Sequence, residues 1–223
     1  TRDRGWAARM AQREDWLAPA REAALEPELE IVDPHHHLWN RGGALYEMET
    51  LAGDLEGHRV VQSVFIECRQ WWRAEGPEHL RPVGETEAVA ARAEAHAGAP
   101  VLAGIVAHAD LRSPHLDEIL DAHVEAGRGL FRGIRHSAAS DPSDALAIAG
   151  REGPGLYRDE AFLRGLVRLG ERGFTFDAWH YHHQMEEFRA AAAAAPGTTI
   201  VLDHFGCPLG VGPYAGRREE IFA

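Results

Sequence analysis

The chemistry-bearing residues of this chain come in short bursts at the ends of apolar runs. The densest is Glu30-Ile31-Val32-Asp33-Pro34-His35-His36-His37-Leu38-Trp39, which closes in three imidazoles. Side chains alternate faces along a strand, so His35 and His37 point one way and His36 the other. Two histidines two apart at a strand end are a ready pair of metal ligands. A second burst, His180-Tyr181-His182-His183, follows Phe174–Trp179, and a third, Asp203-His204, follows Thr198–Leu202. His35, His37 and His204 could give three nitrogens to a zinc-like ion, leaving a position for a water whose pKa the ion lowers. Asp33 and Asp203 each stand within two residues of a candidate ligand, where a carboxylate can orient an imidazole through its other ring nitrogen. The plain alternative is a buried structural acid. Arg135 ends another apolar run and suits bidentate binding of a carboxylate, or an ion pair with Glu67 or Asp177.

His108, His136, His180 and His182 also stand near strand ends, and His136 and His182 rank ahead. His108 either contacts a ligand or caps the helix that follows. Trp39 and Trp179 wall a pocket or pack at its rim. His36, His58, His79, His96, His115, His123 and His183 read as surface or packing residues. Cys68 and Cys207 lie far apart with no CxxC, so they are read as bystanders. Gly206-Cys207-Pro208-Leu209-Gly210-Val211-Gly212-Pro213 fits neither the P-loop nor the dinucleotide pattern and reads as a turn-rich loop. All 23 basic residues are arginine. Without lysine, neither a Schiff base nor a carboxylated-lysine metal bridge can form.

These residues need elements to hold them. Strands are expected at the first histidine burst, at Arg59–Cys68, Val101–Val106, Gly129–His136, Phe174–Gln184 and Thr198–His204. Helices are expected at Gly84–His96, Pro114–Ala126 (closed by Gly127), Glu160–Gly170 and 185–195, stopped by Gly98-Ala99-Pro100 and Pro196 where those occur. Strands alternating with helices at this spacing give a parallel α/β fold. An open doubly wound sheet gathers its site at one switch point, whereas here every strand ends in His, Asp, Glu or Arg. That distribution favours a (β/α)8 TIM barrel, whose strand C-termini ring one mouth. About six of the eight βα units are present. Units seven and eight, roughly 60 residues at about 30 each, are expected beyond Ala223. Residues 1–28, with Trp6 and Trp16, read as an N-terminal helical extension, and 29–223 as the barrel domain.

The net charge of -12 and the lack of a basic tract argue against a nucleic-acid partner. No apolar run approaches the ~20 residues of a membrane span, and no signal core follows Thr1. A cytoplasmic setting is expected, and homo-oligomer formation stays open.

Three motifs together resemble one family, the amidohydrolase-related (amidohydrolase 2) TIM-barrel hydrolases, in particular the branch of sugar lactonases and 2-pyrone-4,6-dicarboxylate lactonase. They are Asp33-x-His35-x-His37-x-Trp39, Phe131-Arg132-Gly133-Ile134-Arg135-His136 and Asp203-His204-x-Gly206-x-Pro208. The likeness runs from about Ile31 to Phe222. It implies that His35, His37 and His204 surround the reactive centre, with an aspartate after the eighth strand that this sequence does not contain. That acid is expected as general base. The wider superfamily often holds two metals through a carboxylated lysine on the fourth strand, where this chain has Arg135 and His136. One divalent, zinc-like ion remains, or none. The expected activity is opening of a sugar-acid or dicarboxylic-acid lactone by metal- or histidine-assisted attack of water. His35, His37, His204 and Asp203 are the expected catalytic residues, and Arg135, His136, His108, Asp177, His182 and Trp39 the substrate contacts. Amide hydrolysis or decarboxylation are related chemistries. The rivals are a non-catalytic metal- or small-acid-binding barrel and a structural partner protein.

Overall fold

The six apolar runs become six parallel strands, each beside its neighbour in sequence. They are β1 (Ile31–His36), β4 (Val60–Ile66), β5 (Val101–Ala107), β6 (Phe131–Arg135), β7 (Thr175–Ala178) and β8 (Ile200–Leu202), in the order β1-β4-β5-β6-β7-β8. The sheet is a curled half-barrel. Parallel pairing of neighbours, with each connection crossing back over the sheet, puts all six C-terminal ends on one rim. The computed structural model describes residues 22–41, 43–143, 146 and 153–222. The helices expected around Trp6 and Trp16 fall outside these, while the described residues 22–30 form turns and extended chain.

The expected helices appear within a residue or two as α2 (Val83–Ala95), α3 (Leu116–Ala126), α4 (Glu160–Glu171) and α5 (Met185–Ala194). Two short ones, α1 (Met48–Asp54) and α6 (Arg218–Ile221), join them. Helix α4 shows why these segments fold so. Asp159 caps it, its carboxylate accepting from the Ala161 and Phe162 amides at 2.7 and 3.2 Å. Phe162, Leu166 and Leu169 recur at helical spacing and are buried. They join Phe65, Ile105, Ile134 and Phe176 of the strands, and Val89, Ile119 and Leu120 of α2 and α3, in one core. Gly127 bonds back to the His123 carbonyl but stays right-handed at φ -76°, and the left-handed turn falls on Arg128 and Gly129.

One element was not expected. Trp39–Arg41 (β2) and Ala44–Tyr46 (β3) form a hairpin turned at Gly43, which takes φ 89°. Trp39 pairs with Tyr46 and stacks on it at 4.6 Å.

Two glycines set the spacing of the layers. A Cβ on Gly165 would collide with the Leu111 carbonyl oxygen, and one on Gly133 with Thr175 across the β6–β7 pair. In both cases the obstacle includes backbone. Gly165→Ala and Gly133→Ala should each lower stability by about 2 kcal/mol or more. Gly53→Ala, in α1 with open space around it, should leave stability level or raise it slightly. Urea midpoints at unchanged slope test this, and equal midpoints for Gly165→Ala and the parent would refute the close-approach reading.

Candidate active site

At the rim, β6 delivers Arg135, and the residues after β4, β7 and β8 surround it. Arg135 is 4 % exposed, and a buried guanidinium must have partners. Its Nε donates to Glu67 Oε1 at 2.9 Å, its Nη2 to the Glu67 carbonyl, and its Nη1 faces Asp203 Oδ2 at 3.5 Å. The Trp179 ring lies 5.5 Å from the guanidinium carbon. Most of the fork is therefore committed to the protein. The ion pair with Glu67 is realised, and only Nη1 keeps a direction toward His35, 3.5 Å from its Nε2. Any contact of Arg135 with a substrate carboxylate would have to use Nη1 rather than the whole fork.

The histidine pair at the end of β1, His35 and His37, meets this cluster. His37 donates from Nδ1 to the Ile66 carbonyl at 2.7 Å, so its Nε2 carries the lone pair. That nitrogen lies 3.3 Å from His35 Nε2. His36 points away and is buried against Phe65. The other nitrogen of His35 lies 3.7 Å from Asp203 Oδ1, and the His204 ring stands 4.7 Å from the His35 ring. Asp203 begins a tight turn in which His204, Phe205 and Cys207 take left-handed φ of 52°, 53° and 51°. Non-glycine residues adopt this conformation at a cost. Its result is Asp203 buried and His204 exposed beside His35.

A zinc-class ion fits these donors. Ligand atoms around a tetrahedral ion with bonds of about 2.0–2.1 Å stand roughly 3.3 Å apart, the separation of the His35 and His37 Nε2 atoms. His35, Asp203 and His204 also offer ligand atoms within 4.8 Å of one another. His37 is outside that second group, so the expected His35, His37 and His204 triad resolves into a His35–His37 pair and a His35–Asp203–His204 group sharing His35. The charge balance agrees. Glu67, Asp177 and Asp203 are three buried carboxylates near the Arg135 guanidinium, and Asp177 Oδ1 has no hydrogen-bond partner among the described residues.

Burial, with the Asp203 charge adding to it, pushes the Asp177 carboxyl up to about 7 against the pull of Arg135. Burial acts on Asp203 in the same direction, yet the neighbouring His35 imidazole and the Arg135 charge hold it below the usual carboxylate range. Burial lowers His37 to about 4, so it is neutral at pH 7.

His136 and His108 sit beside this cluster. The Leu111 amide donates to His136 Nδ1 at 3.3 Å, and His108 Nδ1 donates to the Arg135 carbonyl at 3.2 Å. Trp72 stacks on His108 at 5.3 Å. Both histidines border the site, with His108 opening onto a cleft of about 520 Å³. His182 does not join them: its Nδ1 accepts from the Leu209 amide and its ring meets Tyr214 and His183. Trp39 belongs to the hairpin. His180, ranked behind His182 in the sequence, is fully buried with Nδ1 on the Tyr157 hydroxyl at 3.0 Å. Its Nε2 has no partner among the described residues and faces the Gly206 turn.

No family model matches the chain. An uncharacterized protein, y4mH of Sinorhizobium fredii, is 28% identical over 217 residues, covering 87% of this chain and 68% of the relative. Among solved structures, an amidohydrolase from Burkholderia multivorans with bound zinc aligns with TM-score 0.57 and 21% identity, over 81% of this chain and 59% of that one. An amidohydrolase 2 from Bifidobacterium longum subsp. infantis gives 0.52 and 18%, over 83% and 66%. A probable 2-pyrone-4,6-dicarboxylic acid hydrolase from Acinetobacter baumannii, with citric acid bound, gives 0.53 and 13%, over 87% and 64%. Over the aligned residues the chain shares the fold of these structures. The chain spans about three-fifths of the length of the Burkholderia structure.

Two predictions follow from the buried charges. Glu67→Ala leaves Arg135 without its main partner and should cost about 3 kcal/mol, read from denaturant unfolding. Burial lowers His36, His37, His108, His123 and His180 each to about 4. Such a group binds its proton only on unfolding, so the folded state is fully favoured above the unfolded value near 6.5. That advantage is lost as pH falls from there toward 4. Unfolding free energy should drop steeply over this window, and a flat profile between pH 6.5 and 4.5 would contradict the burial of these rings.

Proposed function

We propose that this chain carries the reactive centre of a hydrolase that opens a cyclic ester of a sugar acid or dicarboxylic acid. The observation that carries this reading is the His35–His37 nitrogen pair, 3.3 Å apart, set against the Asp203–Arg135–Glu67 cluster at the rim. The amidohydrolase fold supports it, as do the zinc and citric acid bound by two of the similar structures.

In this reading His35 and His37, with Asp203 or His204, would hold one zinc-class ion. When bound, such an ion supplies a polarised carbonyl and a water of lowered pKa. The residues present in this chain would take the following parts, with Asp177 in the place of the expected eighth-strand acid. The Ile66 carbonyl fixes the His37 tautomer, and Asp203, held ionised, orients His35. Asp177, titrating near 7, takes a proton as water adds to the ester carbonyl carbon. The ring C–O bond then breaks, and the same proton passes to the leaving oxygen, giving the hydroxy acid. His108 and His136 border the substrate space, and Arg135 contributes positive charge through Nη1.

The test is a panel of sugar-acid and dicarboxylic-acid lactones with purified protein at several pH values. Turnover should rise with pH as Asp177 ionises, through about 7 in metal-free protein and at lower pH with an ion bound, and Asp177→Asn should lower kcat at least 100-fold and remove that limb. His35→Ala/His37→Ala should lose the ion held at this centre and the activity with it. Binding of the lactones without turnover by any preparation would sink the hydrolase and leave a small-acid-binding barrel.

A further inference from the structure

A second group of ligand-type side chains lies apart from the His35 centre. His79 sits on the short turn Glu78–Leu80 in the connection between β4 and α2, His115 is the N-cap of α3, and Glu118 stands three residues further on. The three-residue spacing turns His115 and Glu118 to one side of the helix start. His79 Nε2 lies 3.1 Å from Glu118 Oε2, and His115 Nδ1 lies 3.4 Å from the same oxygen. The two imidazoles stack at 4.4 Å, and all three residues offer ligand atoms within 4.8 Å of one another. None of these contacts involves His35, His37 or Asp203.

We propose that His79, His115 and Glu118 form a site for one zinc-class divalent ion, distinct from the candidate active site. The two nitrogen-to-oxygen separations match the roughly 3.3 Å edges of a tetrahedral site. Two imidazoles with one carboxylate suit zinc, cobalt, nickel or copper, whereas calcium and magnesium demand a shell of oxygens. His115 is 55 % exposed, so its ring is free to rotate out of the stack and aim its lone pair at the ion. Asp117 and Glu118 in the first turn offset the positive end of the α3 dipole, which a cation would otherwise meet. Three protein ligands leave a fourth position for water. His79 also walls the cleft of about 520 Å³ that His108 opens onto. The ion would tie the β4–α2 connection, which carries Trp72, to α3 and so stiffen one side of that cleft.

The test is Co²⁺ titration of the whole chain at pH 7.5, by calorimetry and visible absorption, with Tm measured alongside. His35→Ala/His37→Ala should retain one binding event and a saturable rise in Tm. His79→Gln/His115→Gln should lose that event, its affinity falling at least 100-fold, and Glu118→Gln should weaken it at least tenfold. Should the double glutamine variant misfold by far-UV circular dichroism, His115→Gln alone, at an exposed position, gives the same readout. An isotherm for the folded glutamine variant equal to the parent's, or no binding by His35→Ala/His37→Ala, overturns the proposal and leaves histidine–carboxylate hydrogen bonds. Neither result bears on lactone turnover, so this site and the hydrolase reading stand or fall separately.

Discussion

Burying a guanidinium costs several kcal/mol unless its donors are matched, and Arg135 is matched only because four strands end at the same level. Arg135 is level with Asp177 across the β6–β7 pair, and Asp177 with Val201 across β7–β8. Glu67 leaves β4 still bonded to the Val106 carbonyl of β5. A slip of one residue in any of these pairs would turn a charged side chain to the opposite face and strand the cation. The ion cluster and the sheet register therefore specify each other, and the half-barrel is drawn together at the rim where the histidines also stand.

The loop after β4 depends on the same arrangement. Buried Glu85, at the start of α2, accepts from the Cys68 and Gln70 amides at 3.0 and 2.7 Å. This holds a segment in which Arg69 and Trp71 take left-handed φ of 63° and 52°. Burial, with the Glu67 charge, raises the Glu85 carboxyl to about 7 against the pull of those two amides. On the far side, a hydrogen-bonded chain runs from Thr86 through His123 to the His108 carbonyl, and from His108 Nδ1 to the Arg135 carbonyl. Helices α2 and α3 thus reach the site through polar contacts as well as through the apolar core. His123, a packing residue by its sequence context, is a structural member of this chain.

Elements were legible where a periodicity ran long enough to be read. The six strands are apolar runs and the four main helices carry apolar residues at a spacing near 3.6, and both fold where those patterns lie. The opposed faces of His35 and His36 follow from the same alternation. Where regular structure stops, side-chain direction was not legible. Strand β7 ends at Ala178, so alternation says nothing of the residues beyond, and it is His180 that turns inward while His182 packs on Tyr214. The hairpin that stacks Trp39 on Tyr46 was not legible, because its strands of three residues are too short to show a period. The engagement of Arg135 with Glu67 was open in the sequence because no local pattern reports a partner 68 residues away.

The charge count around Arg135 bears on what chemistry the rim can support. Three buried carboxylates share one guanidinium, and they are not equivalent. Glu67 receives the Nε bond, and Asp203 lies between Arg135 and His35 and stays ionised. Asp177 is left with the smallest share of positive charge and holds its proton to about 7. The asymmetry places one permanently charged and one exchangeable carboxyl in a single site, the division of labour that proton transfer during hydrolysis requires. Further positive charge at the histidine pair would draw that proton off, because an added cation lowers the pKa of every neighbouring acid. In the proposed hydrolase, an ion held by His35 and His37 would therefore be coupled to the readiness of Asp177 to act as a base by electrostatics alone.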